Sequence, residues 1–274
     1  MNKKTLILVW GIFLFISLMS ISFSQETEEK TYTYVYVRNA APSVEEVLIN
    51  PDPAVPYDTL TIKAKVRDLN NDITNVVAVI ENKDYNIKEE LELKYDKTLD
   101  LYLNTYTLNS NAPPGTWKVE VTAIDSGNKQ AILASSFKVN IVVSIDLDQV
   151  PIDFGEKDVN SLDVEADNIL DDKDDIQGFP MKITNSGNTD ITLKISGSDM
   201  VGQQISEQKI NVENLHYNTI LDKSNYKTLS KDLQILSQNL LPNKGEEVYF
   251  WLTIPSGISE QAFKGDISIQ AFPS

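Results

Sequence analysis

Cysteine is absent from all 274 residues. Disulfides, iron–sulfur clusters, cysteine-ligated zinc and thiol nucleophiles are therefore excluded, and core burial has to hold the fold together. Histidine is almost absent as well. His216 is the only one, which excludes His-rich metal sites. A Ser-His-Asp triad would have to be built on Asn214-Leu215-His216-Tyr217, and no nucleophile-elbow motif accompanies that stretch. Glycine is sparse, at 11 residues, and nowhere forms a phosphate-cradling loop. Arginine occurs twice against 22 lysines, no Asn-x-Ser/Thr sequon occurs, and 40 acids face 24 bases for a net charge of -16. Nucleic acid is excluded as a natural partner, because its affinity depends on Lys and Arg neutralising phosphates. An anionic lipid surface would repel the body of the chain for the same reason.

What the chain does carry begins with a leader. Lys3 and Lys4 precede nineteen uncharged residues, Thr5 to Phe23, and the acidic run Gln25-Glu26-Thr27-Glu28-Glu29 follows. A positive head, an apolar stretch and the small-residue exit Ser22-Phe23-Ser24 have the grammar of a secretory signal. Residues 1–24 are expected to be a signal peptide. Nineteen apolar residues also suffice for a membrane-anchoring helix over residues 5–23. Either outcome puts the body outside the membrane. Removal of the leader leaves 250 residues at a charge of -18, enough for two domains.

The body alternates with period two. Leu60, Ile62, Ala64 and Val66 are separated by Thr61, Lys63 and Lys65; Trp117, Val119, Val121 and Ala123 by Lys118, Glu120 and Thr122. Phe137 to Val143, Ile191 to Ile195 and Ile267 to Ala271 repeat the pattern. One face in a core and one in water is the mark of antiparallel sheets. Turn clusters at 50–53, 109–115, 125–128 and 185–188 punctuate the runs. The expected fold is all-β, with two Ig-like antiparallel sandwiches in tandem after the leader helix. The first spans residues 25–143, with strands near 44–49, 59–68, 73–80, 87–93, 99–107, 117–125 and 131–143. Tyr32, Tyr34 and Tyr36 are expected to form a leading strand that pairs with an edge. The second spans 144–274, with an acidic insert at 158–175 and strands near 180–184, 189–196, 248–254 and 265–271. The stretch 229–241 reads equally as a short helix or an irregular strand.

Two passages carry a family resemblance. Pro51-Asp52-Pro53, Tyr57 to Asp68 and Gly115 to Asn128, with its Ala123-Ile124-Asp125-Ser126-Gly127-Asn128 turn, resemble the Ig-like repeats of prokaryotic surface proteins. Ile152-Asp153-Phe154-Gly155, Phe179 to Asn188, Ile195 to Met200 and Tyr249 to Gly257 before Gly265-Asp266-Ile267 resemble a β-sandwich of archaeal secreted and envelope proteins. The resemblance implies a structural role at the cell surface and brings no catalytic residues with it.

Three groups of residues are candidates for chemistry. Asp163, Glu165, Asp167, Asp171, Asp172, Asp174 and Asp175 crowd thirteen residues. Asp167, Asp171, Asp172, Asp174 and Asp175 are the candidate calcium ligands, since hard oxygens in a loop suit Ca²⁺. The EF-hand pattern fails, because Lys173 or Ile176 falls at a ligand position and no glycine sits sixth. The ordinary reading of such a run is a solvated loop that keeps strand edges apart. Asp68, Asn70, Asn71 and Asp72 form a second candidate cation site with the Asp125–Asn128 turn, provided both loops lie at one pole. Turn chemistry alone also accounts for them, with Gly127 supplying a positive φ. Trp117, Trp251 and the tyrosines could line a carbohydrate platform; both tryptophans fall in the core alternation, where a plug between sheets is the ordinary role.

The expected function is that of a non-catalytic exported envelope or surface protein, acting by protein contact or adhesion. Its partners would be other surface proteins or further copies of itself, with no cofactor other than calcium, and it would touch a membrane only through residues 5–23. The alternatives are a module that binds extracellular polysaccharide or calcium, and a small secreted hydrolase. Sandwiches carry function on end loops and edges. The places singled out are therefore Tyr32–Tyr36, the acidic insert, and Asn211 to Lys227, read as a long polar loop.

Overall fold

The computed structural model describes residues 31–148, 151–166 and 180–274. The leader, and Asp167, Asp171, Asp172, Asp174 and Asp175, lie outside them. No helix among the described residues is long and apolar enough to cross a membrane. The chain divides into a unit ending at Asn39 and a compact unit from Ala40 to Ser274. Residues 31–39 contain no strand, so the expected leading strand over Tyr32–Tyr36 does not form. β-Propensity alone is insufficient there, because a strand needs a neighbour to take up its hydrogen bonds.

The compact unit is all-β, as the period-two pattern requires. Its first half has eight strands: β1 (Ser43–Asn50), β2 (Thr59–Arg67), β3 (Ile73–Asn82), β4 (Ile87–Glu92), β5 (Lys94–Asp96), β6 (Leu101–Thr107), β7 (Gly115–Asp125) and β8 (Gln130–Val139). They form two antiparallel four-stranded sheets, ordered β1-β2-β6-β5 and β4-β3-β7-β8. This is an immunoglobulin-type arrangement, A-B-E-D facing C-F-G, with β4 in the place of an added C′ strand. Within this half, the short β5 is the one strand absent from the expected set. Leu60, Ile62, Ala64, Val76, Ile80, Trp117, Val119, Val121 and Phe137 fill the space between the sheets. Each large apolar side chain buried there stabilises the fold by about 1.5–3 kcal/mol before chain entropy is charged against it. Trp117 is the expected plug. Its Nε1 donates to Pro113 O at 3.0 Å and its ring meets Phe137 at 5.9 Å.

The second half comprises β9 (Ile145–Asp148), β10 (Val164–Glu165), β11 (Met181–Asn185), β12 (Ile191–Gly197), β13 (Met200–Gly202), β14 (Lys209–Ile210), β15 (Leu215–Asn218), β16 (Lys227–Thr228), β17 (Gln234–Leu240), β18 (Gly245–Leu252), β19 (Phe263–Lys264) and β20 (Ile267–Pro273). One sheet runs β16-β15-β18-β11-β9, with β10 also on β18. The facing sheet is β17-β12-β20, and β14-β13-β19 forms a small ribbon. A second core lies between, made by Ile183, Ile191, Leu193, Ile195, Tyr217, Val248 and Phe250 among others. The ambiguous stretch 229–241 resolves as strand. Its bulged pairing with β12 disturbs the alternation that would have identified it.

An asparagine clasp joins the halves. The turn Asn185–Asn188 folds onto the linker 140–144 and onto the base of the first sandwich. Asn188 is 2% exposed. Its Nδ2 donates to Ala112 O at 2.9 Å and to Asn140 O at 3.0 Å, while its Oδ1 accepts from Val142 N at 2.7 Å. Backbone bonds Asn188 N to Val142 O (3.1 Å) and Ser186 N to Ser144 O (3.0 Å) complete the contact. Gly187 is required by closeness: a Cβ there would lie 2.3 Å from Val142 O.

Candidate functional site

The first candidate stands at the pole of the first sandwich opposite the clasp. β2 ends at Arg67 and β3 begins at Ile73, so residues 68–72 make their connecting loop beside the β7–β8 turn. The two loops do lie at one pole. Ser126 N donates to Asp72 O at 2.9 Å, and the Ser126 hydroxyl donates to Asp72 Oδ2. One carboxylate oxygen from each of Asp68, Asp72 and Asp125 lies within 4.8 Å of the others. Asp125 is buried and its Oδ1 accepts from Lys129 N at 2.8 Å. Asp68 Oδ1 accepts from Asn70 N at 2.9 Å, whereas its Oδ2 is buried and accepts no hydrogen bond within the protein. Hard anionic oxygens crowded in this way suit Ca²⁺ more than softer metals, with carbonyls and water needed to reach six or more ligands. Asn70 and Asn71 do turn work instead. Asn70 Oδ1 accepts from Ala40 N at 2.8 Å, and Asn71 takes a φ of 54°. In the β7–β8 turn it is Asn128 that takes the positive φ, at 58°, rather than Gly127. Asparagine tolerates that region because its short side chain bonds locally.

The second candidate covers the outer face of the second sandwich. On β18, Val248, Phe250 and Leu252 point into the core, so Trp251 points out. It is nevertheless 0% exposed. Trp251 is thus no plug between sheets, contrary to the expectation from alternation. Glu165, Trp251, His216 and Thr228 face one another across β10, β18, β15 and β16 as a continuous cross-strand row. Trp251 Nε1 donates to Glu165 Oε1 at 3.3 Å, and Thr228 Oγ1 lies 3.3 Å from His216 Nδ1. Tyr226 roofs the row, stacked on His216 at 4.1 Å between ring centres and 13° between planes, and tilted against Trp251 at 6.1 Å. Burial pushes the His216 imidazole below its ordinary pKa, with the Asp163 carboxylate opposing the shift. Burial likewise raises the Tyr226 phenol, helped by Asp163.

Of the seven acids crowded between 163 and 175, the two described ones, Asp163 and Glu165, are spent on this face. Asp163 Oδ1 accepts from the Tyr226 hydroxyl at 3.2 Å and from the Thr253 hydroxyl at 3.4 Å. Glu165 pairs with Lys223 Nζ at 3.1 Å. Asp163 and Glu165 therefore pin a loop, and bring no ligand set together with the acids at the Asp68 pole.

What they pin is the tip of the stretch read as a loop over 211–227. That stretch is in fact mostly built structure, because Leu215 and Tyr217 bury their side chains in the core. Only 219–226 is a loop. Asp222 Oδ1 accepts from Ser224 N at 2.8 Å and from the Ser224 hydroxyl at 2.7 Å, and Asn225 Nδ2 donates to Asp222 Oδ2 at 3.3 Å. These donors, the Ser224 hydroxyl foremost, hold the Asp222 carboxyl below its usual pKa. At the tip of this fastened loop Ile220 is 59% and Leu221 is 55% exposed. The sequence signal for this tip is the apolar pair Ile220-Leu221 set between polar residues.

No known family model matches the chain, and no characterised protein matches it by sequence. Several solved structures align with much of its length. One is described as concerning carbohydrate-binding modules of the β-sandwich superfamily: 12% identity, 86% of this chain, 97% of that one, TM-score 0.30. Another is a tetra-tandem repeat from the extending region of a large adhesion protein, at 8% identity, 84% of this chain, 48% of that one and TM-score 0.31. A third is Salmonella α2-macroglobulin, at 14% identity and TM-score 0.29, where 88% of this chain spans 14% of that one. Likeness at this level assigns no family and no activity.

Proposed function

We propose that the chain is an exported, non-catalytic envelope or surface protein that works by protein contact, and that the contact is made by the fastened 219–226 loop. The carrying observation is that tip. Ile220 and Leu221 expose more than half their surface, on a loop held by the Asp222 turn, the Lys223–Glu165 pair and the Tyr226 stack. Adjacent exposed apolar side chains on a rigid support can be buried by a partner without a large ordering cost. The leader grammar and the net charge agree with an exported contact module. Fractionation of cells producing the native chain or the Ile220→Ser/Leu221→Ser variant tests this. The native chain is expected in the envelope fraction and the variant in the medium; equal partition of the two, with both folded, contradicts it.

A cation reading is favoured by one observation, the approach of Asp68, Asp72 and Asp125 within 4.8 Å with the Asp68 Oδ2 buried and unbonded. Calcium there would tie the β2–β3 loop to the β7–β8 turn and rigidify the pole.

A further inference from the structure

Residues 31–37, Thr-Tyr-Thr-Tyr-Val-Tyr-Val, consist entirely of β-branched and tyrosine residues and pair with no strand among the described residues. Tyr32, Tyr34, Val35, Tyr36 and Val37 are 78–92% exposed. Such a segment with its backbone groups unpaired is a template for sheet extension. The sheets offer several edges, and most are guarded. β1 carries Glu45 and Glu46 and a bulge, β4 carries Lys88, Glu89, Glu90 and Glu92, and β9 carries Asp146 and Asp148. β5 and β16 are only three and two residues long. One end of β8 is taken by residues 52–54, through Ala54 N to Lys138 O at 2.8 Å and Lys138 N to Asp52 Oδ1 at 2.9 Å. β17 is bulged and holds Asn239 at a φ of 56°.

β20 differs. It is seven residues long, Ile-Ser-Ile-Gln-Ala-Phe-Pro, with no charge, and it pairs with β12 in unbroken register from Ile191↔Pro273 to Gly197↔Ile267. No described strand lies on its other side. Its core-facing Ile267, Ile269 and Ala271 are only partly buried. In a chain of net charge -16, an uncharged edge is where two copies meet with least repulsion.

We propose that residues 31–37 of one copy add as a strand to the free edge of β20 in a second copy. The tether decides between the copy itself and another. The heptad joins the first sandwich through residues 38–42, which span at most about 18 Å. Ala40 is bound at the Asn70 pole, where β7 ends at Asp125, whereas the junction with the second sandwich lies where β7 begins. The eleven residues of β7 separate the two ends by about 36 Å. A copy cannot reach its own β20. The contact is heterologous, each copy donating at one end and accepting at the other, so assembly proceeds head to tail. The added strand sets the period-two Thr/Val face of the heptad beside Ile267, Ile269 and Ala271, and the tyrosines on the side of Ser268, Gln270 and Phe272.

This is a second contact, made by other residues than the 219–226 loop, and it fails separately from the reading above. The chain without its leader (25–274) is expected to show a mass above the monomer that rises with concentration. Deleting residues 31–37 is expected to give a monomer with unchanged Tm. A soluble fusion carrying residues 31–37 is expected to bind the deletion protein, and to lose at least tenfold in affinity when Ser268→Lys and Gln270→Lys charge the exposed side of β20. A monomeric parent at its highest soluble concentration, or binding undiminished by the two lysines in a folded variant, overturns strand addition. Envelope attachment by the Ile220–Leu221 tip would stand in that event, because the deletion leaves that loop intact.

Discussion

Asn188 donates to Ala112 O across the boundary between the two cores, at 2.9 Å and out of contact with water. The same amide serves Asn140 O and Val142 N, so three backbone groups of the linker and first sandwich depend on one side chain. Asn188→Ala is expected to cost about 1–3 kcal/mol, the penalty for leaving buried polar groups unpaired. Unfolding by urea would measure it; a cost below a few tenths shows that water replaces the amide.

The clasp also bears on how the chain divides. Separate cores suggest that fragments 25–143 and 146–274 each melt cooperatively. Ser144 and Val142 bond to the 186–188 turn, so a second-half fragment begun at Asn140 is expected to melt higher than one begun at Asp146. Calorimetry of the two fragments compares them directly. Equal melting temperatures would mean that the linker contributes only to joining.

His216 supplies a pH signature. Its folded pKa is lowered, so the unfolded chain takes up the proton first on acidification. The contribution is complete above the unfolded value of about 6.5 and is lost as pH falls through the lowered folded value. Stability should therefore decline from pH 7 to pH 5 more steeply in the native chain than in His216→Phe, which keeps a ring for Tyr226 to stack on. Parallel slopes would show that the imidazole is not shielded by Tyr226.

Much of this architecture was legible in the residues, and the exceptions have physical causes. Leu60 to Val66 and Trp117 to Ala123 alternate cleanly because one face is dry and the other wet, and both became the expected strands. β17 was obscured by bulges, which shift the period at Leu193 and Lys194 of its partner. Trp251 was misread because a buried out-facing ring looks like a core ring in sequence; only the distant Tyr226 and Glu165 reveal the second layer above it. The pairing of the 68–72 loop with the 125–128 turn could be anticipated from sandwich topology, since both close the same end. The Asn188 clasp could not, as its partners Ala112 and Asn140 are carbonyls and carry no side-chain signature.

Calcium is expected to raise the Tm of the native chain with increasing concentration, by linkage to a site present only when folded. The paired change Asp68→Asn/Asp72→Asn is expected to remove that rise. A Tm unmoved by millimolar calcium against a chelator control, or a rise that survives both substitutions, contradicts a site at this pole.

The contact itself is tested most directly by a binding isotherm of purified chain 25–274 on isolated envelopes, with Ile220→Ser/Leu221→Ser as its pair. Exposed side chains contribute little to folding, so the variant should keep its Tm while losing about tenfold or more in affinity, the cost of about 1.4 kcal/mol or more at a contact centre. Identical isotherms from two equally stable proteins would contradict the assignment of the 219–226 loop as the surface through which this protein acts.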